Sequence, residues 1–269
     1  MGTKADWPAT RAVLATLETL AADVDSCGEA EMQALLAGLD GRFIAPGPSG
    51  APTRGRPEVL PTGRNFYSVD TRAVPTPSAW HLGWKSAQLL VEEHLQRQGD
   101  YPKAIAITAW GTANMRTGGD DIAQALALMG ARPTWEASTG RVTGFEILPA
   151  TVLGRPRVDV TVRISGFFRD AFAEQIDLLA SAASAVMRLD EPANINPAAA
   201  RFRAEGDETR VFGSRPGAYG AGLQAMIDEK LWGKADDLAE AYLLWGSYAY
   251  GAGREGDRSE ERRVGKECW

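Results

Sequence analysis

Three short segments combine arginine with aromatic residues and glycine, a composition that suits the binding of a flat, negatively charged ligand. They are residues 62–70 (TGRNFYSVD), 111–121 (GTANMRTGGDD) and 165–170 (SGFFRD). Each contains one arginine, whose planar guanidinium can bind a carboxylate through two parallel hydrogen bonds. The phenylalanine and tyrosine residues offer flat apolar faces for the rest of such a ligand. From the residues alone, each segment is equally well explained as a binding loop or as a turn.

The glycines and aspartates of the second segment also have a structural interpretation. Gly118 and Gly119 can form a turn, and Asp120 can cap the helix that follows. Asp120 and Asp121 would also repel an anion at that helix terminus. We therefore do not expect a simple phosphate site in this segment.

Two residue pairs around the third segment have competing interpretations as well. Phe168 lies four positions before Phe172, so both can belong to the core-facing stripe of a helix. Arg169 and Asp170 can form an exposed ion pair, which would contribute little to stability. The sequence leaves these alternatives to ligand binding open.

Histidine and cysteine are too few and too widely spaced for the common metal sites. His81 and His94 are thirteen positions apart, so a helix does not place them on neighbouring turns. Cys27 and Cys268 give neither a disulfide framework nor a thiolate zinc site, which is typical of a reducing cytoplasm. The sequence also lacks a GxxxxGK(S/T) phosphate loop, a GxGxxG after a strand and a GxSxG elbow. We therefore do not expect this chain to hydrolyse ATP by the phosphate-loop route.

Composition and charge are those of a globular protein. Of the 269 residues, 44% are hydrophobic and 24% are charged, and the formal net charge is -6. Such an acidic chain is a poor candidate for binding nucleic acid, which needs clustered lysine and arginine. No apolar run approaches the roughly 20 residues that span a bilayer, and residues 1–10 do not resemble a signal peptide. We expect a cytoplasmic protein without a membrane span.

Strands alternate with helices through the middle of the chain. Residues 103–110 and 158–164 are predicted strands, the second because valine and isoleucine alternate with polar residues. Residues 77–98, 120–129 and 168–183 are predicted helices from their apolar spacing. This order predicts an α/β fold with a mostly parallel sheet and flanking helices. The three arginine-bearing segments, each placed between a predicted strand and the next helix, should gather at the carboxyl ends of the strands.

The flanking regions are predicted to be helical or loop-rich. Residues 8–39 carry two blocks of apolar residues at helical spacing, which Asp25, Ser26 and Gly28 are expected to separate into two helices. We expect loops over residues 194–222 and a helix over 235–250. The predicted organisation is a helical segment at 1–44, a proline- and glycine-rich connection at 45–58, an α/β domain at 59–190 and a loop-rich and helical segment at 191–257.

The last residues are interpreted separately from the fold. Residues 258–268 read RSEERRVGKEC, which back-translates to a common sequencing-adapter sequence. We therefore expect residues 258–269 to be an assembly artefact and the natural sequence to continue past Asp257. A charged, disordered tail is the alternative that the composition permits.

Four long segments resemble the family that contains the cobaltochelatase subunit CobN and the magnesium chelatase H subunit. They read LPTGRNFYSVD (60–70), WGTANMRTGGDDIAQALALMG (110–130), LGRPRVDVTVRISGFFRDAF (153–172) and RVFGSRPGAYGAG (210–222). The resemblance extends over residues 35–252, and the segments NMRTGGDDIAQAL and RPGAYG are similar to the cobalt branch. Because members of this family are much longer chains, we expect this chain to be an internal fragment of a large multidomain subunit.

The resemblance implies a chelatase function. A cobalt-branch enzyme would insert Co²⁺ into hydrogenobyrinic acid a,c-diamide during cobalamin synthesis, in a reaction that uses ATP. The large subunit would bind the corrinoid macrocycle and the metal, while two AAA+-type partner subunits, CobS- and CobT-like, would use ATP and Mg²⁺. The missing phosphate loop agrees with this division of work, and the fragment alone is expected to be inactive.

The resemblance also implies which residues hold the substrate. Arginines in the family motifs would bind the carboxylates of the corrinoid, and neighbouring polar and aromatic side chains would shape the pocket. The implied substrate-binding residues are Arg64, Asn65, Tyr67, Asn114, Arg116, Thr117, Arg169, Arg215 and Tyr219. The metal ligand, and the base that takes protons from the ring nitrogens, are not identified in this chain.

Two further functions stay open at the level of sequence. One is a magnesium chelatase H subunit that binds protoporphyrin IX. The other is a non-catalytic docking module for the ATPase partners, for which the proline-rich passage and the helices at either end are suited. A generic nucleotide-binding α/β enzyme is disfavoured, since the phosphate-binding motifs are missing.

Overall fold

Two compact units make up the structure, Met1–Val69 and Asp70–Trp269. The computed structural model describes residues 7–54, 56–67, 69–251 and 253–258. The boundary predicted between residues 58 and 59 thus falls inside the first unit. The one predicted between residues 190 and 191 falls inside the second, because later strands join the same sheet. Of the predicted artefact, residues 259–269 lie outside the described part of the chain.

The helices and strands follow one another in a mixed order. The first unit contains α1 (Pro8–Leu39), β1 (Pro46–Pro48) and β2 (Asn65–Tyr67). The second unit contains α2 (Pro77–Gln98), β3 (Ala104–Ala109), α3 (Gly111–Thr117), α4 (Asp120–Met129), β4 (Ala131–Trp135), β5 (Val142–Ile147), α5 (Ala150–Leu153), β6 (Asp159–Ile164), α6 (Gly166–Ala171), α7 (Ala173–Met187), α8 (Pro197–Glu205), β7 (Val211–Gly213), α9 (Gln224–Asp228), α10 (Ala235–Trp245), β8 (Tyr248–Gly251) and β9 (Arg254–Arg258). None of the described helices is both long and apolar enough to cross a membrane.

Helix α1 runs without a break through the position where two helices were predicted to separate. Ser26 Oγ donates a hydrogen bond to the carbonyl oxygen of Asp23 at 2.9 Å, and Cys27 Sγ donates to the same oxygen at 3.2 Å. These polar side chains are therefore satisfied inside the helix, and Gly28 costs only about 1 kcal/mol relative to alanine. The predicted break was wrong because extending an existing helix is easier than ending it and starting another.

The proline-rich passage of the first unit contributes to a pair of short parallel strands. Pro46 of β1 lies opposite Asn65 of β2. Gly63 has a φ of +84°, and a Cβ atom there would lie 2.5 Å from the carbonyl oxygen of Ala30, so the segment before β2 crosses α1 closely. The segment 62–70 therefore contains a strand, and the prediction that it follows one was wrong. Strands of three residues leave no readable alternation in a sequence.

A five-stranded sheet forms the centre of the second unit, in the order β3-β6-β7-β8-β9. Strands β3, β6 and β7 are parallel, with Ile105 opposite Val160 and Val162 opposite Val211. Strands β8 and β9 continue the sheet in antiparallel directions. The predicted α/β fold with a mostly parallel central sheet is confirmed. The carboxyl ends of β3, β6 and β7 consequently meet at one edge, which we call the carboxyl edge.

The core of this unit is built around helix α4, which contacts the sheet on one side and α2 on another. Residues 125–129 of α4 are all buried. A Cβ atom at Gly83 of α2 would lie 2.6 Å from the Cβ of Ala123, so small residues let the two helices approach closely. Val160 and Val162 of β6 face the same core, as their alternation predicted. Burial of this apolar surface is the main stabilising contribution to the unit.

The ends of the two central helices agree with the prediction from their capping residues. Thr76 Oγ1 accepts a hydrogen bond from the N–H of Ala79 at 3.1 Å and caps α2. Gly99 and Gly130 end α2 and α4 in the left-handed conformation, with φ values of +81° and +80°. The predicted helices 77–98 and 120–129 are therefore confirmed at both ends.

Three other predicted segments differ from the structure. The helix predicted over 168–183 is divided at Phe172, whose backbone leaves the helical region between α6 and α7. The loop-rich region 194–222 contains α8 and β7, and the helix predicted over 235–250 ends at Trp245, before β8. Pairing within the sheet, which is a tertiary effect, decides the conformation of β7 and β8.

Buried arginines hold the amino ends of β6 and β7. Arg157, with 1% of its side chain exposed, binds both carboxylate oxygens of Glu191 at 2.7 and 3.0 Å. Its Nη2 also donates to the carbonyl oxygen of Leu148 at 2.7 Å. Arg210 is equally buried and binds both carboxylate oxygens of Asp159. These arginines act inside the fold, and the Arg157 guanidinium lowers the pKa of Glu191.

Candidate functional site

The connections that follow β3, β6 and β7 pack against each other at the carboxyl edge. Ser165, directly after β6, accepts a hydrogen bond from the N–H of Gly111 at 3.2 Å, which joins the first connection to the second. The same oxygen accepts from the N–H of Phe168 at 3.1 Å and caps α6. The Ser165 N–H in turn donates to the carbonyl oxygen of Ala109 at 3.0 Å. Sequence reasoning missed this role, although serine before a helical stripe is a known capping signal.

Two glycines allow the three connections to approach this closely. A Cβ atom at Gly111 would lie 2.4 Å from Cδ1 of Phe167. At Gly166, a Cβ atom would lie 2.7 Å from the carbonyl oxygen of Ala218 and 2.7 Å from Cδ1 of Tyr219. Any larger residue at either position would push the connections apart, so both glycines are needed for the shape of the edge.

Arg169 holds the connection after β7 in place. Its Nη1 donates to the carbonyl oxygens of Arg215 at 2.7 Å and Ala218 at 3.1 Å, with a longer bond of 3.4 Å to Ser214. Its Nε and Nη2 bind both carboxylate oxygens of Asp170 at 2.7 and 3.1 Å. Only 8% of the Arg169 side chain is exposed. The guanidinium is thus used within the chain, which favours a positioning role over direct contact with a ligand.

Asp170 links this arginine to an exposed tyrosine. The hydroxyl of Tyr219 donates to Oδ2 of Asp170 at 2.5 Å. The hydrogen bonds from Arg169, and then that from Tyr219, lower the pKa of Asp170. The pKa of Tyr219 is raised, because its hydroxyl donates to an ionised carboxylate. The pair Arg169–Asp170 is therefore more than the exposed ion pair considered from the sequence, because it anchors a loop.

Two predicted arginines are exposed at this edge. Arg116 lies in the last turn of α3, and Arg215 lies in the loop after β7. Within the described residues, neither guanidinium has a hydrogen-bond or ionic partner. An exposed guanidinium with its donors free can bind a carboxylate through two parallel hydrogen bonds.

Each of the three connections also presents one exposed aromatic ring. Trp110 follows β3 and is 56% exposed, Phe167 follows β6 and is 41% exposed, and Tyr219 follows β7 and is 60% exposed. Trp110 was not among the predicted site residues, although it is the first residue of the family motif 110–130. Phe168, by contrast, is fully buried and stacks on Phe172 with ring centroids 4.9 Å apart, so its core interpretation is the correct one.

Asn114 lies inside the structure beneath this edge. Its side chain is fully buried, and its Nδ2 donates to the carbonyl oxygen of Trp110 at 2.9 Å and to Oδ2 of Asp121 at 3.0 Å. Burial raises the pKa of the Asp121 carboxyl, against the effect of the hydrogen bond from Asn114. Since Asn114 has no exposed surface, its hydrogen bonds favour a positioning role over contact with substrate.

Thr117 shapes the turn that leads into α4. Its Oγ1 accepts hydrogen bonds from the N–H groups of Gly119 at 3.4 Å and Asp120 at 3.2 Å. Gly118 and Gly119 have φ values of +73° and +98°, which residues with a side chain rarely adopt. The two glycines therefore form a turn, with Gly119 rather than Asp120 in the capping position.

The remaining predicted residues belong to the first unit. The Arg64 side chain lies across β1, where a Cβ atom at Gly47 would be 2.4 Å from its Cδ. Arg64 and Asn65 are both exposed. Tyr67 is the last residue of β2, and its side chain falls outside the described part of the structure. The role of these three residues stays a prediction.

Metal-binding side chains are not clustered in the described part of the chain. No group of three or more histidine, cysteine, aspartate or glutamate residues there could hold a metal ion. His81 is exposed, and His94 Nε2 lies 3.8 Å from Oδ1 of Asp100.

Known proteins are similar to this chain in both sequence and fold. Residues 2–264 match the CobN/Magnesium Chelatase family, so the chain belongs to that family, as its motifs predicted. It is 61% identical to the aerobic cobaltochelatase subunit CobN of Sinorhizobium sp. over 277 residues, which cover 95% of this chain and 22% of the relative. It is 39% identical to the magnesium-chelatase H subunit of Rhodobacter capsulatus, over 87% of this chain and 20% of the relative.

A solved structure has the same fold as well. It is the catalytic subunit of cobaltochelatase from Mycobacterium tuberculosis, with a TM-score of 0.81 and 45% sequence identity. The match covers 91% of this chain and 22% of that chain. The chain thus spans about a fifth of the length of the relatives that it matches.

Proposed function

We propose that this chain is a segment of the large subunit of an ATP-dependent cobaltochelatase, which inserts Co²⁺ into hydrogenobyrinic acid a,c-diamide in cobalamin biosynthesis. The identity of 61% to a cobaltochelatase subunit, against 39% to a magnesium-chelatase subunit, supports the cobalt branch. In this proposal the subunit acts in the cytoplasm as part of a multisubunit ligase, and the segment alone is inactive.

One observation carries the proposal: the carboxyl edge presents exposed aromatic rings together with two exposed guanidinium groups that have no partner among the described residues. Arg116 and Arg215 would hold carboxylates of the corrinoid by charge-assisted hydrogen bonds. Trp110, Phe167 and Tyr219 would contact its apolar surface, as flat rings do in sites for flat ligands. The arrangement thus matches both chemical features of the macrocycle, its flat ring and its carboxylate arms.

Three other predicted residues would act by positioning. Arg169 fixes the loop that carries Arg215, and Asn114 and Thr117 fix the turn that carries Arg116. We also retain Arg64, Asn65 and Tyr67 of the first unit as substrate-binding residues, on the basis of their family motif. Exposure of Arg64 and Asn65 is compatible with that role.

The remaining chemistry is assigned to groups beyond this segment. Insertion of the metal requires that Co²⁺ exchange water for nitrogen ligands and that the ring nitrogens lose protons to a base. We propose that the ATPase partners, AAA+-type and CobS- and CobT-like, use ATP with Mg²⁺ to drive the step. The sequence of this chain contains no phosphate loop of its own, in agreement with that division.

A chimaeric protein provides the test. In this chimaera, which we call the host subunit, residues 7–257 of this chain replace the matching segment of the Sinorhizobium relative. We expect the host subunit to bind the metal-free corrinoid, and Arg116→Ala to weaken binding about tenfold or more, since a hydrogen bond to a charged group is lost. Fluorescence titration measures the affinity, and cobalt insertion with ATP and the partner subunits measures activity.

The control is Arg97→Ala, which removes an exposed arginine of α2 that lies in an ion pair with Glu93. It should leave corrinoid affinity unchanged. If the host subunit binds protoporphyrin IX more tightly than the corrinoid, the assignment to the cobalt branch is wrong and the magnesium branch takes its place. Equal affinity of Arg116→Ala and the unsubstituted host would remove Arg116 from the site.

A docking role is the second candidate, and the surface of α1 favours it. Within its own unit this helix buries none of its residues, although Leu35, Leu36 and Leu39 form an apolar stripe. Such a stripe suits contact with another protein surface. Co-purification of the ATPase partners with the host subunit should fall when Leu35 and Leu39 are both replaced by glutamine, if α1 serves this role.

A further inference from the structure

A cleft beside the carboxyl edge lies between the loop after β7 and the end of α10. It has a volume of about 380 Å³ and is lined by Arg215, Gly222, Ala241, Leu244, Trp245 and Tyr248. This volume is within the range of clefts that bind small organic molecules. None of the lining residues is acidic, and Arg215 is the one charged group among them. The residues that line the cleft are thus mostly apolar, with a single positive charge among them.

Trp245 forms the wall of the cleft and is fixed to the loop of the last family motif. Its Nε1 donates to the carbonyl oxygen of Gly220 at 3.1 Å. Gly222 lies against the face of the indole, because a Cβ atom there would be 2.4 Å from Cδ2 of Trp245. Motif glycines therefore pack on one part of this ring, and another part lines the cleft.

A half-buried arginine holds the end of α10 against the sheet. The guanidinium of Arg163, the penultimate residue of β6, lies 3.5 Å from the ring centroid of Tyr242. Its Nη2 also donates to the carbonyl oxygen of Tyr242 at 3.0 Å. A Cβ atom at Gly246 would lie 2.4 Å from this guanidinium, so the chain passes close to it after α10. These contacts fix the positions of Trp245 and Tyr248 relative to the carboxyl edge.

We infer that this cleft is a subsite for one edge of the macrocycle, in which Trp245 contacts the ring and Arg215 binds a carboxylate arm. The inference rests on the proposed function and extends it to α10, which none of the family motifs includes. Two features of the cleft support this occupant. Its single cation matches a carboxylate, and its indole and leucine surfaces match the apolar part of a flat ring.

The cleft is also continuous with the edge already described. Arg215 lines it, while the backbone of the same residue accepts a hydrogen bond from Arg169. Tyr219, which follows Arg215 in the same loop, presents its exposed ring at the carboxyl edge. The loop after β7 therefore contributes both to the cleft and to the carboxyl edge.

Leu244 offers a test that does not disturb the fold, because its side chain is 58% exposed at the rim of the cleft. Leu244→Glu in the host subunit places a carboxylate opposite the expected carboxylate of the ligand. We expect this substitution to lower the affinity for the carboxylated corrinoid about tenfold. Its effect on the affinity for the corrinoid with amidated carboxylates should be smaller, because the repulsion between carboxylates is then absent. Leu231→Glu, at a leucine 66% exposed and outside the cleft, is the matched control and should change neither affinity.

Two further variants separate the roles of charge and stacking. Arg215→Gln should remove the preference for the carboxylated over the amidated corrinoid, a loss of roughly tenfold to hundredfold in affinity for the former. Trp245→Ala should weaken both forms about tenfold, and Trp245→Phe should restore most of that loss because a flat ring returns. Circular dichroism of each variant checks that α10 stays folded.

The outcomes distinguish this inference from the proposed function. If Arg116→Ala weakens binding but Leu244→Glu and Trp245→Ala do not, the cleft is not part of the site, while the proposed function stands. If the unsubstituted host subunit binds neither form of the corrinoid, both proposals are overturned. If Leu244→Glu and Leu231→Glu lower the corrinoid affinity equally, the cleft is not a subsite either.

Discussion

The two ends of the parallel strands are both rich in arginine, yet the arginines differ in what surrounds them. At the amino ends of β6 and β7, Arg157 and Arg210 are buried and bind the carboxylates of Glu191 and Asp159. At the carboxyl ends, Arg116 and Arg215 are exposed and have no partner among the described residues. The amino-end arginines hold the fold together, whereas no described residue occupies the guanidinium donors of Arg116 and Arg215.

Arg169 stands between these two kinds of arginine. It lies at the carboxyl edge, but its guanidinium is buried against Asp170 and the loop after β7. The comparison teaches that the position of an arginine in a family motif does not identify its role. The partners of its guanidinium do, because donors that are already bonded within the chain are not free for a ligand.

The largest expected effect is on the stability of the amino end. Arg157→Ala leaves the Glu191 carboxylate partly buried and unpaired, so we expect the free energy of unfolding to fall by about 3–5 kcal/mol. Urea denaturation of the chain, followed by circular dichroism, measures the change. Affinity per folded molecule should not change in the host subunit. A loss below about 1 kcal/mol would contradict the structural role of this arginine.

Substitution of Arg169 should lower stability less than substitution of Arg157, but it should also weaken corrinoid binding. Arg169→Lys keeps the charge but cannot reproduce the forked hydrogen bonds to Asp170 and the loop, so stability should fall by about 1–3 kcal/mol. Corrinoid affinity of the host subunit should fall as well, because the loop that carries Arg215 loosens.

A double-mutant cycle separates positioning from direct contact at Arg169. If Arg169 acts through Arg215, Arg169→Lys should have little effect on affinity once Arg215 is already alanine. Additive losses in affinity would show instead that Arg169 contacts the ligand independently.

The pH dependence of stability should reveal the role of Asp170. Because its pKa is lowered in the folded state, its ionised form stabilises the fold fully above the unfolded-state value of roughly 3.9. That contribution is lost as the pH falls through the lowered folded-state pKa. Asp170→Asn should therefore be less stable than the unsubstituted chain at pH 6, and the difference should narrow towards pH 3. A difference independent of pH, in urea denaturation at both values, would contradict the assignment.

The smallest effect on stability is expected at Arg116. Since its exposed guanidinium has no partner among the described residues, Arg116→Ala should change the free energy of unfolding by no more than about 0.5 kcal/mol. Thermal unfolding of the chain measures this. If Arg116→Ala lowers the free energy of unfolding as much as Arg157→Ala does, the proposed difference between the arginines at the two ends of the sheet is wrong.

Much of the central fold was predictable because regular periodicity and capping residues specify it locally. Helix α4 begins at Asp120 and ends before Gly130, as predicted. The alternating valines of β6 lie in the core, as predicted. The short strands β2 and β7 were not predictable, because three residues carry no period and their conformation depends on the strand that they pair with.

Prediction of the site was limited for a similar reason. The motifs predicted Arg116, Arg215 and Tyr219 as substrate-binding residues, and these three are exposed at the carboxyl edge. They could not show that the donor groups of Asn114 and Arg169 are used within the chain, since burial is a property of the packed structure. The sequence analysis did not single out the residues of α10, because a tryptophan near the end of a helix is typical of core packing as well as of binding.

The most direct test compares corrinoid binding to the host subunit carrying Arg116→Ala with Arg215→Ala against the host carrying Arg97→Ala with Arg132→Ala. Both pairs remove two exposed arginines and change the net charge equally, but Arg97 and Arg132 are paired with Glu93 and Glu146 away from the carboxyl edge. We predict that the first pair weakens binding about a hundredfold and that the second leaves it unchanged. Equal affinity of the two double variants would contradict the carboxyl edge as the binding site for the macrocycle.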